Sequence, residues 1–341
     1  MQPFELHRAR DPQEAARHAR AVTDQSGSSE IPRACFIAGG TNMVDYMTLD
    51  VLEPSLLVDI NGMGDAYRKI EISSQRLRFG SLVRMSEAED HPAIKRDWPI
   101  IHQTLFLAAS RQIRNMASLG GNVLQRTRCE YFRETSWPCN KRKPGSGCAA
   151  LEGLNRQHAI LGGSDHCIAA YAGDFAQALI ALDATVETFD GASRSTRRIP
   201  FSELHRRPGD TPNVETTLHP AELITFIDIP VTPWTRRSRY IKIRDRQSYQ
   251  FALASAAVAL DLDGDVVREA RIALGGVATI PWRAREAEAV LQGKPLTESL
   301  AAEAASAAFA AAHPRAHNAF KLQLGQQALV RALLEAKQLE V

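Results

Sequence analysis

Between residues 34 and 62 the chain alternates apolar runs with polar, glycine-marked breaks. Cys35-Phe36-Ile37-Ala38 is an apolar run of strand length, Gly39-Gly40-Thr41-Asn42 interrupts it, and Leu56-Leu57-Val58-Asp59-Ile60 resumes it before Asn61-Gly62. Short apolar runs closed by turn residues predict buried strands. Met43, Val44 and Met47 lie on one side of a helical stretch between them. Upstream, Asp11-Pro12 opens an Ala/Arg/Glu run that predicts an amphipathic helix over 11–22, with an Asp N-cap and Pro at the first helical position. These elements predict a small N-terminal lobe, residues 1–62.

From about residue 66 the pattern becomes strand-like alternation. Ile70-Glu71-Ile72 and Leu77-Arg78-Phe79-Gly80 read as half-buried strands, and 98–116 reads as helical until Ser118-Leu119-Gly120-Gly121-Asn122 breaks it. Residues 123–168 show little hydrophobic period. Asp174 then N-caps a helix through Leu182, and strands follow at 185–189 and 223–229. Pro230, Pro233 and the arginines at 236, 237 and 239 mark a boundary. Beyond it, strands near 240–243, 251–262 and 266–276, with a hairpin at Asp263-Gly264, precede helices at about 283–291, 297–312 and 318–338. The expected organisation is α+β in three units: 1–62, 63–233 and 234–341.

Composition changes this picture little. The 341 residues are 44% hydrophobic and 23% charged, and the net charge of +2 gives no reason to expect nucleic acid or a membrane surface as the main partner. No apolar stretch reaches the roughly 18 residues that suggest a membrane span. Met1-Gln2-Pro3-Phe4-Glu5-Leu6-His7 has no hydrophobic signal region, so no secretory signal is expected on this chain.

The candidate chemistry is concentrated in two glycine turns and four cysteines. Residues 39–42 and 118–122 each place glycines where a backbone can approach a phosphate, and two such turns suit opposite ends of a dinucleotide. Neither is G-x-G-x-x-G or a P-loop, and plain tight turns fit equally well. Cys129, Cys139, Cys148 and Cys167 follow the second turn at intervals of nine, eight and eighteen residues. These spacings match neither zinc pairs nor ferredoxin-type clusters, so free or buried thiols stay open as a reading. Pro138-Cys139-Asn140 and Pro144-Gly145-Ser146-Gly147-Cys148 put two of the thiols on tight turns. Arg126, Arg128, Arg133, Lys141, Arg142 and Lys143 outnumber the nearby Glu130 and Glu134, a balance that favours an anionic cluster. Cys35 reads as a core residue. His158 and His166 show no metal spacing and read as structural or exposed. There is no Ser/His/Asp set and no H-E-x-x-H motif.

Taken in order, Ile37-Ala38-Gly39-Gly40-Thr41-Asn42, Gly120-Gly121-Asn122, Asp174 leading into Ala178-Leu179, Tyr240-Ile241-Lys242 and Ala273-Leu274-Gly275-Gly276-Val277-Ala278 resemble the FAD-binding middle subunits of the molybdenum hydroxylases, the xanthine dehydrogenase family. Asn122 through Cys129, and Cys139 through Gly153, resemble its periplasmic aldehyde-oxidising branch, whose FAD subunit carries an extra [4Fe-4S] cluster.

The resemblance implies a two-subdomain FAD fold of the vanillyl-alcohol-oxidase (PCMH) type, followed by a C-terminal three-stranded sheet with a helical bundle. It implies FAD held by Ile37, Ala38, Gly39, Gly40, Thr41, Asn42, Ser118, Gly120, Gly121 and Asn122, with Asp174, Ile224 and Lys242 as further contacts. Cys129, Cys139, Cys148 and Cys167 would ligate the [4Fe-4S] cluster in an insertion spanning about 123–168. It also implies a heterotrimer with a large molybdenum-cofactor subunit, which oxidises the aldehyde, and a small subunit with two [2Fe-2S] clusters. Electrons would arrive from those clusters and leave to an external acceptor. Export to the periplasm would use a signal on the small subunit; a cytoplasmic location is the alternative. A self-sufficient FAD oxidase and a non-redox scaffold with zinc or free thiols are the rival readings.

Overall fold

The computed structural model describes residues 1–23 and 34–341. The N-terminal part is a three-stranded parallel sheet in the order β1-β3-β2, built from β1 (Glu5–Arg8), β2 (Ala34–Ile37) and β3 (Leu56–Asp59). Helix α1 (Pro12–Thr23) precedes β2, and α2 (Met43–Thr48) connects β2 to β3. Asp11 caps α1 as expected, its Oδ1 accepting the Glu14 N–H at 2.7 Å. Ala15, Ala16 and Ala19 fall on one face of α1 and are buried against Leu56 and Val58. Small side chains let this helix approach the sheet closely.

The expected helix near 43 is present, with a different buried face. Tyr46 and Met47 face inward, while Val44 is exposed. Strand β1 was not expected, because Glu5-Leu6-His7-Arg8 has one apolar residue and exists as a strand only through pairing with β3. Cys35 is half-buried rather than core, since β2 is an edge of this sheet.

The middle part holds a five-stranded antiparallel sheet, ordered β4-β5-β8-β6-β7. Its first strands are β4 (Ile70–Ile72) and β5 (Arg76–Gly80), followed by short helices α3 (Met85–Asp90), α4 (Pro92–Asp97), α5 (Pro99–Phe106), α6 (Arg111–Met116), α7 (Leu119–Val123) and α8 (Glu130–Arg133). Then come α9 (Phe175–Ala181), β6 (Thr185–Asp190), β7 (Ser195–Pro200), α10 (Phe201–Leu204) and β8 (Glu222–Pro230). The helical stretch 98–116 is thus two helices, and the break expected at 118–122 is itself a short helix. Ser118 caps it, accepting the Gly121 N–H at 3.3 Å. Leu119 and Val123 of α7 share one core with Phe175, Leu179, Phe79 and Ile227.

The C-terminal part is an antiparallel sheet of β9 (Ser238–Ile243), β10 (Ala254–Asp263), β11 (Val266–Gly275) and the two-residue β12 (Trp282–Arg283). The three expected strands are present, and β12 adds a fourth at the edge. Helices α11 (Arg285–Leu291), α12 (Glu298–Ala308) and α13 (Phe320–Lys337) cover one face, with Ala304, Ala328, Leu329 and Leu333 packed on Val258, Leu260 and Ile272.

Candidate cofactor sites

The fold brings the two glycine turns into contact. A β-carbon on Gly39 would overlap the Met116 carbonyl oxygen, so only glycine allows the first turn to lie against the approach to the second. Asn42 Nδ2 reaches the Gly121 carbonyl at 3.5 Å, and Asn61 Nδ2 donates to the Ala38 carbonyl at 2.7 Å. Arg84 donates to the Met116 carbonyl and, at 3.2 Å, to Asn61 Oδ1. Backbone bonds hold the second turn to the central sheet: Gly120 N–H to Ser81 O, and Ser81 N–H to Thr225 O, both at 2.9 Å. A β-carbon on Gly120 would come within 2.9 Å of Ser81 Cβ.

Ile37 ends β2 in register with Asp59, Thr41 is half-buried, and Ile224 lies in β8 next to Thr225 with its side chain in the core. Asn122 gives its amide N–H to Met85 Sδ at 3.4 Å, while its Oδ1 is buried without a partner among the described residues. A buried acceptor left open beside two glycine turns fits a ligand with donors to give.

Asp174 and Lys242 are assembled differently. Asp174 occupies the N-cap position of α9, yet its side chain makes no capping bond. It accepts from Tyr240 OH at 2.6 Å and from Lys242 Nζ at 2.7 Å, and Lys242 also donates to the Leu107 carbonyl at 3.0 Å. Both side chains of the pair are buried. Burial, with Asp174 next to it, pushes the Tyr240 hydroxyl well above its ordinary range. The bonds of Asp174 and Lys242 therefore run to each other, Tyr240 and Leu107 rather than to either turn. They tie the start of α9 to β9.

The four cysteines line one cavity, with about 280 Å³ of atom-free space that is partly open to solvent. Cys139 and Cys148 form an antiparallel bridge, closed by Asn140 N–H to Gly147 O at 2.7 Å and Gly147 N–H to Asn140 Oδ1 at 2.8 Å. Asn140 Nδ2 also donates to the His166 carbonyl at 3.1 Å, which ties this bridge to the loop carrying Cys167. Arg142 donates to the carbonyls of Tyr131, Phe132, Thr135 and Trp137 at 2.5–3.1 Å, gathering the loop that follows Cys129.

Burial pushes the Cys129 thiol up to about 12 and the Cys167 thiol up to about 11, and the neighbouring thiols add to both. Among the described residues, no three His, Cys, Asp or Glu side chains close on a point that would hold one ion.

Part of the cation excess near the cysteines is paired with carboxylates from outside the segment. Arg128 and Arg133 donate to Asp45 of α2 at 2.7–2.9 Å, and Arg128 also reaches Asn42 Oδ1 at 2.8 Å. Arg126 and Lys141 pair with Glu215 at 2.9 and 3.2 Å. Arg128 and Arg133 thereby fasten the cysteine segment to the first glycine turn and α2.

One residue of this site carries no sequence signal of its own. His158 is 3% exposed, and its Nε2 lies 3.1 Å from Cys129 Sγ. Its position, 29 residues beyond Cys129, belongs to no metal-binding pattern.

The model of the FAD binding domain in molybdopterin dehydrogenase matches residues 2–232, and that of the CO dehydrogenase flavoprotein C-terminal domain matches residues 239–336. The chain belongs to the FAD-binding medium subunits of the molybdenum hydroxylases. Within this family it is 44% identical over 339 residues to the aldehyde oxidoreductase FAD-binding subunit of Escherichia coli, covering 99% of both chains. It is 26% identical to the glyceraldehyde dehydrogenase medium chain of Sulfolobus acidocaldarius, over 79% of this chain and 77% of that one. The solved quinoline 2-oxidoreductase of Pseudomonas putida superposes with a TM-score of 0.73 at 23% identity, over 99% of this chain and 98% of that one. Carbon monoxide dehydrogenase of Hydrogenophaga pseudoflava gives 0.73 at 24%, over 98% and 97%. These two likenesses establish the medium-subunit fold. No helix among the described residues is long and apolar enough to cross a membrane.

Proposed function

We propose that this medium subunit is the FAD- and [4Fe-4S]-carrying electron-transfer component of a molybdenum-dependent aldehyde oxidoreductase. Four thiols lining one cavity beside two mutually packed glycine turns is the observation that carries the reading. The 44% identity to an aldehyde oxidoreductase FAD-binding subunit supports the substrate class. FAD supplies an exchange of one or two electrons, which suits a subunit placed between one-electron clusters and an external acceptor.

Residues 37–42 and 118–122 hold the flavin nucleotide in this reading, and Cys129, Cys139, Cys148 and Cys167 hold the cluster. Glycines 39 and 120 keep the turns close, Asn122 Oδ1 offers an acceptor, and the Asp174–Lys242 pair ties the start of α9 to β9. Arg142 and Asn140 fix the cysteine loops and close them over the cavity. The proposal includes a heterotrimer with a large molybdenum-cofactor subunit and a small subunit bearing two [2Fe-2S] clusters. It also includes a periplasmic location reached by co-export with a signal-bearing partner. Aldehyde oxidation itself belongs to the large subunit, so the isolated chain is expected to be inactive on aldehydes.

The test is anaerobic purification followed by flavin, iron and sulfide analysis. One FAD with about four irons and four sulfides per chain is the expected result. Single Cys→Ser changes at the four positions should each remove iron and leave FAD. FAD without iron in the wild-type protein would sink the cluster assignment, and aldehyde turnover by the chain alone would sink the division of labour.

A further inference from the structure

Among the described residues, the only polar partner of the His158 ring is a sulfur atom. Nε2 lies 3.1 Å from Cys129 Sγ, and Nδ1 is buried with no partner. A histidine kept only to fill a core would give a ring N–H to a carbonyl or carboxylate, since an unpaired buried donor is costly. The surroundings hold this ring in place instead. The His158 N–H donates to the Asn155 carbonyl at 3.0 Å, and Asn318 Nδ2 approaches the His158 carbonyl at 3.4 Å. Asn155 is buried, and its Oδ1 accepts the His317 N–H at 3.0 Å. Lys321 donates to the Gln157 carbonyl at 3.1 Å. The segment 155–158 is thus clamped by residues 317–321, and the Tyr131 ring centroid lies 6.0 Å from that of His158.

We infer that His158 donates its Nε2–H to the sulfur of Cys129 and thereby raises the reduction potential of the cluster that Cys129 ligates. The inference rests on the cluster assignment above. A ligating thiolate has lone pairs and no proton to give, so the proton of this bond sits on Nε2. The other tautomer would bury a donor at Nδ1 without an acceptor and set two lone pairs against each other. A hydrogen bond to a ligand sulfur withdraws charge and favours the reduced, more negative state. His158 is a positioning residue in this scheme, fixed by the C-terminal helical region and acting on the cluster through one sulfur.

The experiment is a redox titration of the iron-sulfur EPR signal in the purified holo-complex, with flavin and iron content measured on each sample. His158→Met removes the donor at similar volume, while His158→Gln can still offer an N–H. The expected order of midpoint potentials is wild type highest, His158→Gln intermediate and His158→Met lowest, with FAD content unchanged. Wild-type potential in an iron-replete His158→Met, or equal shifts in both variants, would overturn the inference while leaving the cluster in place. If His158→Met does not retain iron, wild-type protein labelled with ¹⁵N-histidine decides the matter. Hyperfine coupling of a histidine nitrogen to the reduced cluster supports the bond, and its absence overturns it. Wild-type protein with FAD and no iron overturns the cluster assignment and this inference together.

Discussion

The two candidate sites lie next to each other and are built by opposite means. The glycine turns are formed by backbone: Gly39 meets the Met116 carbonyl, and Gly120 hangs from Ser81, which hangs from Thr225 of the central sheet. The cysteine cavity is formed by side chains that hold irregular loops: Arg142 on four carbonyls, Asn140 across two cysteine loops, and Arg128 and Arg133 on Asp45. A backbone site tolerates no added atom, whereas a site held by side chains can lose its contacts one at a time. Helix α2 serves both, since its N-cap Asn42 belongs to the first turn and Asp45 anchors the cysteine segment.

The largest expected effect is at Gly39. Gly39→Ala forces a β-carbon into a backbone carbonyl that cannot rotate away, and overpacking of this kind costs about 1–3 kcal/mol. FAD affinity should fall about ten- to a hundredfold, taking about 1.4 kcal/mol per factor of ten, while iron is retained. Flavin titration of the apoprotein reads this directly; an unchanged affinity would show that the turns need not be in contact.

Arg142→Ala tests the other half of the comparison. Four carbonyls lose a charged donor, but several are near solvent, so a loss of about 1–2 kcal/mol is expected, below the full value for buried charged bonds. Iron content should drop and FAD should stay. Equal loss of both groups would mean that the two sites do not fail separately.

The smallest effect concerns the link between them. Arg133 first and then Arg128 hold the Asp45 carboxyl below its ordinary range, against the opposing effect of burial. A lowered folded value means that this stabilisation is complete above the ordinary Asp value of about 3.9 and is lost as pH falls through the folded value. Asp45 is one-third exposed, so solvent screening limits the contribution to under about 1 kcal/mol. Urea midpoints of wild type and Asp45→Asn should differ at pH 7 and converge on acidification. A gap that persists at the lowest pH would assign the effect to packing rather than charge.

Much of the fold was legible where one residue pattern has one structural solution. The apolar runs at 35–38 and 56–60, the alternation at 70–80 and 185–189, and the Asp11-Pro12 helix start all appear close to the predicted bounds. Strands β1 and β12 were not legible, because their strand character comes from neighbours. Val44 was placed on the wrong side of α2 because a six-residue helix has too few turns for apolar spacing to choose a face. At the site, Gly39 and Gly120 could be picked out because few residues survive a close backbone approach. Asp174 was visible as a residue before a helix, but its bonds to Tyr240 and Lys242 cross 66 and 68 residues.

The sequence by itself determined the α+β class, the two glycine turns, the four cysteines and the family, because these depend on residue types in local order. Only the tertiary structure decided that the turns touch, that four unevenly spaced thiols line one cavity, and that Arg126, Arg128 and Arg133 are paired with Glu215 and Asp45. It alone placed His158 on Cys129. These relations join segments dozens of residues apart, and chain spacing carries no record of which distant groups will be buried together and must satisfy one another.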